Sequence, residues 1–262
     1  LSIADQTQHW GILDREVFLA LWIVVFFLLG LYLLGKLKFS HDSDLPYLKV
    51  PRFILAIFTF SFVVYLLPGM WGAPLKSLSG YLPPMSTMDF KSLSTVQSES
   101  EICGEPSYSE KLHLPNGLKG YFDYEEGMCC AKEQGKPVFI DFTGLSCQNC
   151  RKIEQAVWTD PNVLELLREE FVIISLFGDD HTLPLNKPYI SVFDGEKLIE
   201  TVGQKTADIQ KVWFGQFAQP YYVTMDNDKN LLEVPIAYEQ AQYKSKFISF
   251  LKNSLEEYKK RK

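Results

Sequence analysis

The chain has 262 residues, 47% hydrophobic and 14% aromatic, with a formal net charge of −6, a length that allows one or two domains at roughly 100–200 residues each. The acidic balance, with a pI near 5.3, argues against nucleic acid, whose phosphates require a basic face. Sixteen Gly and 14 Pro without a period exclude collagen-like and low-complexity classes, and five Cys are too few for a disulfide-stapled secreted fold.

A mean hydropathy of −0.04 hides a division, because the apolar residues are concentrated in the first 75 positions. Val17 to Leu34 runs 18 residues without charge or proline, close to the 20 or so that cross a hydrocarbon core of about 30 Å. A second uncharged stretch spans Phe53 to Leu75, where Pro68 and Gly69 predict the helix end and Trp71 an interfacial position. Spans are therefore expected at about 17–35 and 53–71, within a membrane segment 1–75. Two buried core helices are the alternative, although core helices are rarely apolar on every face. A cleaved signal peptide fits less well, since Asp14, Arg15 and Glu16 stand where a basic region belongs. Lys36, Lys38, Lys49 and Arg52 flank the spans on their connecting side, so the positive-inside rule puts residues 35–52 in the cytoplasm.

Residues 76–120 show no sustained period and read as a linker or an irregular lead-in, with Cys103 a free or opportunistic thiol. The domain proper is expected over 121–262. Asp123–Gln134 reads as a helix, with Cys129 and Cys130 as small core residues. Val138–Phe142 is a buried strand, Cys147–Val157 a helix, Pro161–Glu170 another, and Phe171–Phe177 a second strand. A hairpin is expected of Ile190–Phe193 with Lys197–Val202, then a helix over Ala207–Phe217. A second hairpin pairs Tyr221–Met225 with Leu231–Val234, and an amphipathic helix from Tyr238 to about Tyr258 closes the chain. This order predicts an α/β fold with a mixed sheet covered on both faces.

The most informative feature is Cys147-Gln148-Asn149-Cys150, after a strand and at a helix start. Sulfurs at i and i+3 share one face of the first turn and can bridge. The unpaired N–H groups of that turn favour a thiolate on Cys147, making it the nucleophile. Cys150, one turn in, would resolve the mixed disulfide. Structural zinc needs about four ligands, and His9, His41, His113 and His181 are scattered, so no metal site is expected. An inert disulfide or a copper-binding pair are the other readings. Asp141 lies in a buried-looking strand six residues before Cys147, and Glu154 one turn beyond Cys150. Two such carboxyls would raise one another's pKa and could take the proton of Cys150.

The residues FIDFTG-x-x-C-x-x-C-R-K-x-E, then AVWTDP and later Gln219-Pro220-Tyr221, resemble the thioredoxin superfamily. More closely they resemble the C-terminal domain of DsbD-type thiol:disulfide interchange proteins, also called cytochrome c biogenesis transmembrane proteins. The resemblance covers about 121–257, and the two spans are similar to the last two helices of that family's membrane domain. It implies a thioredoxin-like fold, a protein-disulfide reductase of the bacterial inner membrane with this domain periplasmic, and electrons arriving through a membrane relay. The partners it implies are other domains of a longer protein and periplasmic disulfide proteins. No cofactor beyond the Cys147–Cys150 disulfide is implied. By motif, Cys147 attacks, Cys150 resolves, and Asp141 and Glu154 tune the site. Pro220 matches a cis-proline beside the disulfide, with Gln219 offering backbone to a partner segment as an added strand.

The chain departs from the pattern in places. Gln148-Asn149 replaces the Gly-Pro of thioredoxin, Ser146 precedes Cys147, and no Cys lies in 17–75. The chain, starting at Leu1, is therefore expected to be the C-terminal part of a longer protein. Competing readings are an oxidase or isomerase, and a non-catalytic module binding a partner or copper.

Overall fold

The computed structural model describes residues 2–40, 42, 47–88 and 103–262. Parts of the expected cytoplasmic loop (41 and 43–46) and of the expected linker (89–102) lie outside the described residues.

A short helix α1 (Ser2–Thr7) precedes two long apolar ones, α2 (Arg15–Leu33) and α3 (Val50–Leu66), the latter continuing as a 3-10 turn Leu67–Trp71. Both begin a few residues before the uncharged stretches, α3 because Pro51 suits a first helical turn. Arg15–Leu33 and Val50–Trp71 are long and apolar enough to cross a membrane, and most of their surface faces outward. The helices pack closely where Gly30 meets the Phe60 ring; a Cβ there would come within 2.6 Å of it. At the connecting end Arg52 donates to the carbonyls of Leu33 and Tyr32, both at 2.7 Å, satisfying the open C-terminus of α2. At the opposite end Leu19, Leu66, Leu75 and Leu82 form a small buried cluster. The fully buried Arg15 there donates to the Pro83 carbonyl at 2.6 Å.

Downstream, α4 (Tyr124–Gln134) precedes β1 (Val138–Thr143), α5 (Gln148–Ala156), α6 (Pro161–Glu169) and β2 (Val172–Phe177). A hairpin of β3 (Pro184–Ile190) and β4 (Leu198–Thr201) leads to α7 (Val202–Phe214), β5 (Tyr221–Met225), β6 (Ile236–Ala237), α8 (Tyr238–Ala241) and α9 (Lys244–Arg261). The central sheet runs β2-β1-β5-β6, with β1 parallel to β2 and antiparallel to β5. Alternate residues of β1 point to opposite faces. Phe139 joins the core under α5, α6 and α9, while Val138, Ile140 and Phe142 join the core under α4 and α7. Asp141 has the parity of Phe139, so it faces α5.

Several sequence expectations are corrected. Residues 103–120 are not a bare linker, since Leu112, Leu114 and Leu118 are buried in the first core. Cys103 is not free; it is bonded to Cys130, with Cα atoms 5.4 Å apart. Cys130 is buried in that disulfide, while Cys129 is exposed and free and is no core residue. The helix expected from Ala207 starts at Val202, because Thr201 and Gln204 form a capping box, and ends at Phe214, capped by the left-handed Gly215. Leu231–Val234 pairs with β5 at its start alone, where Leu231 bridges Met225 and the Leu232 N–H donates to the Thr224 carbonyl at 3.0 Å. The Asp226 carboxylate accepts the N–H groups of Asp228 and Asn230, curling the chain there, and pairing resumes at β6. The closing helix is split, with Tyr243 extended between α8 and α9.

Candidate functional site

The site forms where β1 ends. The turn Thr143–Ser146 carries the chain across to α5, and the side chain of Asp179, just past β2, holds it. Asp179 accepts the N–H of Leu145 at 2.6 Å, the N–H of Ser146 at 2.8 Å and the Ser146 hydroxyl at 2.5 Å. Gly144 leaves room for this: a Cβ would stand 2.6 Å from Gln219 Oε1 and 2.9 Å from the Asp179 carboxyl.

Cys147 is the N-cap of α5 rather than its first helical residue, and its Sγ accepts the N–H of Cys150 at 3.2 Å. The helix N-terminus is thus aimed at sulfur, the arrangement that stabilises a thiolate. Cys147 is bonded to Cys150, with Cα atoms 5.3 Å apart. Cys147 is half-buried and Cys150 buried, which leaves the first sulfur to meet a partner.

The Gln219–Pro220 bond is cis. The pairing of Tyr221 with Phe142 carries Pro220 to the C-terminal end of β1, and Gln219 Nε2 donates to the Thr143 carbonyl at 2.6 Å. The side chain of Gln219 therefore ties the proline turn to the turn before Cys147.

Beneath α5 lies a buried charged group. Asp141 stands in register with Ser175 of β2 and Tyr222 of β5, and the Ser175 hydroxyl donates to its Oδ2 at 3.2 Å. Its Oδ1 has no hydrogen-bond partner among the described residues. Burial, then the charge of Glu154, push the Asp141 carboxyl up to about 8. Burial likewise raises Glu154 to about 7, with Arg151 pulling it down. Arg151 Nη1 lies 2.8 Å from Glu154 Oε2, and Nη2 donates to the Gly144 carbonyl at 3.1 Å. The Tyr222 hydroxyl is pushed well above its ordinary range, chiefly by burial.

The structure thus brings Asp141, Cys147, Cys150, Glu154, Gln219 and Pro220 to one end of the sheet. Sequence reasoning did not single out Arg151, Ser175, Tyr222 or Asp179. Arg151 carried a usable signal, lying directly after Cys150 and three residues before Glu154; the other three depend on strand register and a return loop. Segments flanking the two apolar helices also reach this end of the domain. Gly80 lies against Gln148, where a Cβ would stand 3.3 Å from Gln148 Cβ, and His9 Nε2 pairs with Asp180 Oδ2 at 2.7 Å. Among the described residues no group of three or more His, Cys, Asp and Glu side chains is placed to hold a metal ion.

A family model described as thioredoxin-like matches residues 119–195. Solved structures similar to the chain include a thioredoxin from Thermus thermophilus, 20% identical, covering 51% of this chain and 84% of its own, with a TM-score of 0.36. A DsbH oxidoreductase is 18% identical, covering 54% and 91%, with a TM-score of 0.35. A disulphide isomerase from Xylella fastidiosa Temecula1 is 12% identical, covering 57% and 96%, with a TM-score of 0.33. No curated protein matches the chain. The C-terminal part of the chain is a thioredoxin-like α/β domain, preceded by two apolar helices that are candidate membrane spans.

Proposed function

We propose that the protein is a membrane-anchored protein-disulfide reductase of the DsbD type, working through the Cys147/Cys150 dithiol. The observation that carries this reading is Cys147 at the N-cap of α5, bonded to Cys150 above a buried acid pair. In the reduced protein the Cys147 thiolate attacks a partner disulfide; a mixed S–S bond forms and one partner sulfur leaves as thiolate. Cys150 then gives its proton to the carboxylates below and attacks Cys147. The mixed bond breaks, and the partner departs with both electrons. The turn around cis Gln219–Pro220 receives the partner's extended segment as an added strand. The redox-active disulfide is the only cofactor this chemistry needs.

In this reading residues 35–52 are cytoplasmic and the thioredoxin-like domain lies in the periplasm of a bacterial inner membrane. Lys36, Lys38, Lys49 and Arg52 support the orientation. The second disulfide, Cys103–Cys130, supports an oxidising compartment. Electrons reach Cys147/Cys150 from a membrane relay elsewhere in a longer protein. They pass to an N-terminal domain and on to periplasmic disulfide proteins, a reductant's role that would include cytochrome c biogenesis.

Trapping tests the reading. Cys150→Ser should accumulate a mixed disulfide between Cys147 and a disulfide-bonded substrate, and Cys147→Ser should accumulate none. Disulfide reduction by the Cys147→Ser protein would refute it, and docking that survives loss of Cys147 would favour a binding module.

A further inference from the structure

Five side chains meet between the sheet and α5, each within reach of another's charge or hydrogen bond: Asp141 from β1, Ser175 from β2, Tyr222 from β5, and Arg151 and Glu154 from α5. As whole residues, none is more than 7% exposed. Two carboxyls there face one guanidinium, which does not give up its proton. The guanidinium can offset one carboxylate; a second, unpaired and away from water, is costly.

The geometry decides which carboxyl is offset. Arg151 Nη1 meets Glu154 at 2.8 Å, while among the described residues Asp141 receives only the Ser175 hydroxyl, at 3.2 Å. The other arm of the fork, Nη2, is engaged by the Gly144 carbonyl. Both Nη arms of Arg151 are thus engaged away from Asp141, one by Glu154 and one by the turn that leads to Cys147, while Nε has no partner among the described residues. Resting on the exchange reading above, we infer that Arg151 is a positioning residue that keeps Glu154 as the carboxylate of the pair and leaves Asp141 as the group that takes and returns the proton.

The resolving step then balances. The Cys150 S–H bond breaks and its proton passes to the Asp141 carboxylate. The Cys150 sulfur bonds to Cys147, the Cys147–partner bond breaks, and the electron pair leaves on the partner thiolate. Asp141 afterwards returns the proton to water. The disulfide form described here is the product of that step. Asp141 is pushed higher than Glu154, to about 8 against about 7, in agreement with this order. The Tyr222 hydroxyl, raised well beyond them, stays protonated.

The test is a carbon-13 NMR titration of the Asp141 and Glu154 carboxyl groups in the oxidised full chain in detergent. Arg151→Met should raise the Glu154 midpoint by about one to three pH units, the range for loss of an adjacent opposite charge. Arg151→Lys should restore most of that shift. Glu154→Gln should lower the Asp141 midpoint, because the like charge is gone while Arg151 remains. Resolution of a preformed mixed disulfide with a cysteine peptide should slow about tenfold or more at pH 7 in Arg151→Met and recover in Arg151→Lys. A Glu154 midpoint unmoved in both Arg151 variants, or Asp141 titrating below Glu154 in the unaltered protein, would overturn the inference. The titration needs no exchange activity. If the unaltered protein reduces no disulfide while these midpoints move as described, the proposed function falls and the assignment of Arg151 stands.

Discussion

Removing the Asp141 carboxyl should change how stability depends on pH. Asp141 is 2% exposed and raised from 3.8 to about 8. Between those values the folded protein holds a proton that the unfolded chain has released. The unfolded state then binds fewer protons, so unfolding free energy falls as pH rises. The stability is fully present below about pH 4 and its loss is complete above about pH 8. At about 1.4 kcal/mol per unit, a shift of roughly four units caps the loss near 6 kcal/mol. Sharing of charge with Glu154 and Arg151 makes roughly 2–5 kcal/mol the expected size. Asp141→Asn cannot titrate and can still accept from Ser175. Urea unfolding of the oxidised full chain in detergent, followed through the buried Trp158 packed against Phe139 and Tyr222, reads the difference. The variant should match the unaltered protein near pH 4 within about 1 kcal/mol and exceed it by about 2–5 kcal/mol at pH 9. Parallel stability curves from pH 4 to 9 would refute the reasoning.

Other consequences follow from single contacts. Asp179→Ala removes three hydrogen bonds from the turn before Cys147; it should cost about 1–3 kcal/mol and slow attack by Cys147 in stopped-flow exchange. Cys103→Ser should lower stability by about 2–4 kcal/mol in the same unfolding assay, and leave the Cys147/Cys150 exchange rate unchanged. Substituting Gly80 by Leu would force its side chain against Gln148. Alkylation of reduced Cys147 by a bulky maleimide should then change by several-fold, and an unchanged rate would show that the contact does not govern access. Lys38→Cys should be labelled only from the cytoplasmic side of sealed membranes.

What the sequence disclosed was what is local. Val138–Phe142, the turn and the Cys147 helix could be read because strand, cysteines and helix start lie within twenty consecutive residues. Asp141 was legible because a charge in a β-rich apolar run demands a reason. The Cys103–Cys130 bond was not legible, since 27 positions separate the two and nothing in the intervening chain brings them together. Asp179 likewise acts through a loop that returns from β2, and Ser175 through strand register. The hairpin signal over Asp226–Asn230 was legible, since Leu231 bridges Met225 directly after that turn, but the ladder breaks after Leu232 and resumes only at Ile236. The capping box at Thr201 and Gln204 was present in the sequence and placed the start of α7 five residues before the expected Ala207.

The most direct test of the proposed electron donor is its potential. The oxidised full chain would be equilibrated with glutathione buffers of known poise, and Cys147 and Cys150 scored as dithiol or disulfide by mass spectrometry. A two-electron transition at about −200 mV or below, toward the thioredoxin end of the scale, is the predicted result. A transition near −120 mV, where a strong oxidant sits, or no Cys147–Cys150 disulfide at any poise, would contradict it.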